Sequence, residues 1–171
     1  MVAEGDRVIP RRSLSPELLR LAARQDSTVS GAQLAGFGVT DRVIERMVGH
    51  GMLARIARGV YATRDGGWRQ VAWAGVLLGG SSAVLGMHAA AFLHGLVPTS
   101  PDCIAVFTAG QSRISDPRWR FIRSPRLGSG EPPRTRVAQT IIDVTAVADA
   151  DQVVSLLAEA IGGRRVRPRE I

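Results

Sequence analysis

Residues 30–63, SGAQLAGFGVTDRVIERMVGHGMLARIARGVYAT, carry their own punctuation and leave little freedom in how they fold. Ser30 is suited to N-cap a helix, Gln33 can reach back to complete a capping box, and Gly36 and Gly38 supply stops. Thr40 then caps a second helix, Asp41 sits in its first turn where the helix dipole favours an anion, and Gly49 and Gly51 close it. Within that helix Val43, Ile44, Met47 and Val48 recur at helical spacing, which leaves Arg42, Glu45 and Arg46 together on the opposite face. Residues 53–57 and 60–63 read as two short strands, with Arg58 and Gly59 at the bend and Arg55 beside it. Upstream, Ser15, Pro16 and Glu17 form a helix start, and Leu18, Leu19, Leu21, Ala22 and Ala23 give a first helix ending near Gln25.

Three helices followed by a basic hairpin make the pattern of a winged helix-turn-helix. In such a unit the second helix of the pair enters the major groove, where arginine can donate two hydrogen bonds to guanine. An arginine on the wing holds phosphate or enters the minor groove. The alternative is an ordinary helical pair with a solvated basic face. On the DNA reading the candidate contact residues are Ser30, Gln33, Thr40, Arg42, Glu45, Arg46, Arg55 and Arg58.

All 22 basic residues are arginine, so the net charge of +7 is carried without a single lysine. A Walker phosphate loop requires lysine, as does the usual restriction-endonuclease core of two carboxylates and a lysine, so neither chemistry is available to these residues. The arginine bias itself is not a sign of DNA binding, because a GC-rich genome replaces lysine codons with arginine codons. The distribution says more: residues 1–70 hold 11 arginines against 7 acids, and 71–112 hold no arginine and only Asp102. Residues 113–136 hold 7 arginines against 2 acids, 137–163 hold 4 acids and no base, and 164–171 hold 4 arginines against Glu170. The second basic patch, 113–136, is either a further nucleic-acid strip or a solvated loop.

Asp65, Gly66 and Gly67 mark the expected boundary between a DNA-binding domain, 1–66, and a small mixed α/β domain, 67–171. In the latter, 68–78 and 82–93 read as buried helices, with Ser81 or Ser82 capping the second and Gly95 ending it. Residues 104–107 and 119–123 read as strands, the second with Trp119 and Phe121 inward and Arg118 and Arg120 outward. Two helices, about 137–148 and 151–161, follow the proline-rich EPPRT segment, and the mixed order gives an α+β class.

No catalytic, metal or cofactor site emerges. His88 and His94 stand six apart, off a shared helix face, and His50 lies in the other domain, so the histidines are expected to pack or hydrogen-bond. Asp143, inside an apolar helix face, is expected to pair with an arginine or a backbone donor. Cys103 is expected as a small buried residue of a strand. The N-terminus lacks a signal-peptide pattern, and the apolar run 71–85 is short and broken by Gly79, Gly80, Ser81 and Ser82, so a cytoplasmic protein with no membrane partner is expected.

From Leu18, LLRLAARQDSTVSGAQLAGFGVTDRVIERMVGHGMLARIARGVYAT resembles the N-terminal winged-helix domain of AbiEi-type antitoxins, a family of type IV toxin–antitoxin systems. GMHAAAFLHGL at 86–96 and PPRTRVAQTIIDV at 132–144 extend the resemblance over most of the chain. It implies a non-enzymatic regulator that binds operator DNA at an inverted repeat, as a homodimer, and represses its own operon. The matching DNA positions are Arg42, Arg46, Arg55 and Arg58, and the remainder of such a chain counters a nucleotidyltransferase-like toxin. Two features depart from the family: Ala138 and Gln139 stand where members with this element usually carry acids, and many members continue into a restriction-endonuclease-like domain whereas this sequence stops at Ile171. The alternatives are a protein-interaction module that neutralises the toxin, and the non-catalytic part of a nuclease.

Overall fold

A computed structural model describes residues 14–110 and 114–162. The arginines at 7, 11 and 12, Arg113 of the second basic patch and the C-terminal arginines from 164 onward lie outside the described residues. The class is α+β, with helices packed on two separate sheets.

The first helix, α1 (Pro16–Arg24), starts as its sequence dictates. Ser15 Oγ accepts from the Leu18 amide at 3.2 Å, proline opens the helix, Glu17 lies in the first turn and Arg24 in the last. Asp26 and Ser27 then take left-handed backbone angles, φ 48° and 65°, and turn the chain into a three-residue strand, β1 (Thr28–Ser30). Helix α2 (Gly31–Gly36) opens with the full capping box. The Gln33 amide donates to Ser30 Oγ at 3.1 Å, and Gln33 Oε1 accepts from the Ser30 amide at 2.9 Å. Helix α3 (Asp41–Gly49) is N-capped by Thr40, but the threonine hydroxyl makes no capping bond. Ser30→Ala is therefore expected to cost about 1 kcal/mol, whereas Thr40→Ala stays within about 0.5 kcal/mol. Urea unfolding of the two variants checks the contrast.

Strands β2 (Ala54–Ala57) and β3 (Val60–Ala62) form a hairpin, and β3 lies between β2 and β1 in an antiparallel sheet of order β1-β3-β2. Gly59, at φ 78°, supplies the left-handed position at the bend. Leu18, Ala22, Val29, Leu34, Ile44, Met47, Leu53 and Tyr61 form one core under the three helices.

Helix α4 (Trp68–Gly79) leads into a five-stranded mixed sheet of order β6-β5-β4-β8-β7. Its strands are β4 (Val84–Leu85), β5 (Ile104–Thr108), β6 (Trp119–Arg123), β7 (Gly128–Ser129) and β8 (Arg134–Thr135). Helix α5 (Met87–His94) follows β4, while α6 (Val137–Thr145) and α7 (Ala150–Gly162) follow β8. The α4 core includes Ala72, Trp73, Val76, Leu85, Val106 and Trp119, and it also takes in Val60, Ile56 and Ala57 from the hairpin. Thus the first sheet packs directly on the helix that leads into the second sheet.

Two sequence expectations are corrected. Residues 82–93 are not one helix: Val84 and Leu85 form β4, and α5 begins after Gly86, which replaces Ser81 or Ser82 as the N-cap. A short apolar run has no periodicity that separates a buried strand from a buried helix. Cys103 is exposed and precedes β5 rather than being buried in a strand. Part of the proline-rich segment, for which the sequence set no expectation, pairs: Arg134 and Thr135 form β8, bonded to β7 on one side and β4 on the other.

Candidate nucleic-acid interface

Helix α3 buries Ile44 and Met47 and half-buries Val43 and Val48, which turns Arg42, Glu45 and Arg46 to solvent as the spacing requires. Arg42 and Arg46, four residues apart, lie on one stripe of the helix. Across from them, the hairpin carries exposed Arg55 on β2 and exposed Arg58 at its bend.

These arginines are not equivalent. Arg55 Nη2 donates to Glu45 Oε1 at 2.6 Å, and its guanidinium lies 5.5 Å from the Tyr61 ring centroid. Both charged groups are largely exposed, so the pair contributes little to stability. Its effect is geometric, since it ties the hairpin to α3. Among the described residues, no side-chain hydrogen bond or ion pair engages Arg42, Arg46 or Arg58.

The polar candidates at the helix starts divide similarly. Ser30 and Gln33 spend their polar atoms on the capping box and on a reciprocal amide pair between Gln33 and Gln25, at 2.8 and 3.2 Å. They hold α2 in place rather than facing outward. Thr40, in contrast, leaves an exposed hydroxyl at the N-terminus of α3, where the helix dipole favours an anion. The hairpin bend is itself bonded to α2, because the Gly31 amide donates to the Gly59 carbonyl at 2.8 Å.

In the second basic patch, three of the six described arginines, Arg118, Arg126 and Arg134, are engaged within the fold. Arg126 pairs with Asp143 at 3.2 Å, and the Asp143 side chain, only 8% exposed, also accepts from Gln139 at 2.9 Å. Asp143 therefore has the arginine partner expected of a buried acid. Arg134 donates to the Pro132 carbonyl at 3.1 Å, and its guanidinium is pushed below the usual arginine range first by burial and then by nearby Arg69. Arg118 pairs with Asp116 and donates to Ile56 of the hairpin. Arg120 and Arg123 on β6, an outer strand of its sheet, remain exposed, as does Arg136.

A further set of polar contacts went unseen in the sequence because its partners lie far apart along the chain. Arg69 bonds Asp26 and the Glu131 carbonyl, Arg24 pairs with Glu131, and the Gln70 side chain bonds the Asp26 and Arg64 carbonyls. Together they tie the end of α1 and the turn after it to α4 and to the segment before β8. His94 Nε2 lies 2.7 Å from the Thr135 carbonyl, in keeping with a hydrogen-bonded histidine. Among the described residues, no cluster of His, Cys, Asp or Glu is placed to hold a metal ion, and no helix is long and apolar enough to cross a membrane.

The segment holding both basic elements, α1 through β3, also carries the family signal. Residues 16–64 match the family described as transcriptional regulator, AbiEi antitoxin. No curated protein matches the chain. The AbiEi match bears out the resemblance on this segment and supports a regulator or antitoxin role at that coarse level. It ends just before α4, so the five-stranded sheet and helices α5–α7 lie beyond it.

Proposed function

We propose that this chain is a sequence-specific DNA-binding regulator of the AbiEi antitoxin type that represses its own operon. The connectivity α1-β1-α2-α3-β2-β3, with β3 central in its sheet, is what a winged helix-turn-helix requires. On this reading α3 is the recognition helix and the β2–β3 hairpin the wing, within a DNA-binding unit of residues 1–66.

The observation that carries the proposal is the contrast among the arginines. Among the described residues, Arg42, Arg46 and Arg58 stand exposed on α3 and the hairpin bend with no side-chain hydrogen bond or ion pair, while Arg55 is spent on tethering one element to the other. Arginines with no internal partner are available to bases and phosphates. Arg42 and Arg46 read base edges in the major groove, and Arg58 grips the flanking backbone. Thr40 and the α3 N-terminus accept a phosphate, and the capping box of Ser30 and Gln33 sets the angle between α2 and α3. A homodimer would match two half-sites of an inverted repeat.

Salt dependence separates these roles. Arg58→Ala is expected to weaken binding about equally on matched and scrambled duplexes, and to shallow the slope of log affinity against log salt by about 0.9. An unchanged slope would remove Arg58 from the phosphate contacts.

The second unit, 67–171, is proposed to meet a cognate toxin. Ile142, Val147 and Val154 expose apolar side chains on and around α6 and α7. Co-expression with a toxin encoded next to this chain tests that half: no complex and no growth rescue would confine the function to DNA.

A further inference from the structure

The wing's first strand is irregular. It pairs with β3 at Ala54↔Ala62 and Arg55↔Tyr61, then slips to Ala57↔Val60, leaving Ile56 as an extra residue without a partner across the ladder. Such a bulge bends its strand and re-aims the side chains beside it, here Arg55 and, past Ala57, Arg58. An unladdered carbonyl needs another donor or water. The donor comes from the second unit: Arg118 Nη2 donates to the Ile56 carbonyl at 2.9 Å, across 62 positions of sequence.

Arg118 is itself held on three sides. Asp116 Oδ1 accepts from the Arg118 backbone amide and from Nε, both at 3.0 Å, and Asp116 Oδ2 accepts from Nη2 at 2.8 Å. The guanidinium lies 4.2 Å from the centroid of the Trp119 ring. Trp119 is buried, and its indole N–H donates to the Val71 carbonyl of α4 at 2.9 Å. The side-chain hydrogen bonds between Asp116 and Arg118 keep the carboxyl below and the guanidinium above their usual ranges, so both stay charged. An unbroken chain of contacts therefore runs from α4 through Trp119 and Arg118 to the bulge of the wing.

We propose that Arg118 is a positioning residue for the wing, fixing the Ile56 bulge so that Arg55 and Arg58 are presented at a set angle beside α3. DNA affinity then depends on a residue well outside the segment that matches the AbiEi family, and whatever binds near Asp116 and Arg118 acts on the wing directly. The affinity half of this inference rests on the DNA-binding reading; the structural half does not.

The test uses the full chain carrying Arg118→Ala, Arg118→Lys and Asp116→Asn, read by amide hydrogen exchange and by duplex binding. Lysine keeps the charge but lacks the planar fork that serves Asp116 and Ile56 together. Exchange across residues 56–60 is expected to accelerate about tenfold in both Arg118 variants while α3 keeps its protection. Binding is expected to weaken about tenfold in both, and Arg118→Ala is expected to add less than about twofold in an Arg58→Ala background, because both act through the wing. Unchanged wing exchange in folded Arg118→Lys would overturn the proposal, as would full DNA affinity in Arg118→Lys with loss only in Arg118→Ala, the mark of a direct phosphate contact. Should Arg118→Ala not fold, Arg118→Lys and Asp116→Asn carry the exchange comparison. A wild-type chain indifferent to DNA sinks the regulator reading, and wing exchange still decides whether Arg118 holds the bulge.

Discussion

Replacing Arg42 and Arg46 together with alanine is expected to lower affinity for the chain's own upstream DNA on the order of a hundredfold, since each base-reading arginine is worth about 1–3 kcal/mol. The same variant should lose little affinity for scrambled duplex, so discrimination collapses while residual electrostatic binding survives. Folding should be indifferent. Both side chains project from the exposed face of α3 without an internal partner among the described residues, and surface changes of that kind stay within about 0.5 kcal/mol. Competition binding alongside a thermal melt reads both effects. A fall in melting temperature with discrimination intact would mean that these arginines support the helix rather than read the groove.

The largest stability effect is expected at Gly86→Ala. A Cβ built there would overlap two ring carbons of Phe107, a residue only 4% exposed in β5. The Gly86 amide also donates to the Ala105 carbonyl at 3.0 Å, so the backbone cannot withdraw without breaking a bond to that strand. Overpacking a fixed site costs about 3 kcal/mol at the upper end of the usual range, or roughly 6–12 °C of melting temperature for a chain of this size. Gly36→Ala provides the control. Nothing lies within 4 Å of its added methyl, and it sits in a helix, so a gain of about 0.5–1 kcal/mol is expected. Equal effects at the two sites would refute the close approach of β4 to β5.

What was legible in the chain was whatever local chemistry controls. The capping box of Ser30 and Gln33, the proline start of α1 and the packed face of α3 each depend on residues within one or two turns of each other. All are present in the structure. The exposed stripe of Arg42 and Arg46 follows from the same periodicity.

What was not legible depends on partners distant in sequence. Strand β1 is three residues long, enters through two non-glycine residues in left-handed conformation, and exists because β3 offers its backbone 30 to 34 positions later. Strands β7 and β8 are two residues each and are strands only by their pairing. Arg118 reads as one charge in a basic run; its acceptor is a backbone carbonyl exposed by a bulge in another sheet, which no spacing rule announces. Glu45 likewise looked like part of the reading face, and the hairpin's return brings Arg55 onto it.

The central claim, that α3 and the wing read a particular DNA sequence, is tested most directly by binding of the full chain to the duplex immediately upstream of its own coding sequence. The competitor is a scrambled duplex of equal length and composition at the same salt. A preference of at least about a thousandfold for the upstream duplex is expected, cut about a hundredfold in the Arg42→Ala, Arg46→Ala variant. Equal affinity for the two duplexes, or an unchanged preference in that variant, would contradict it.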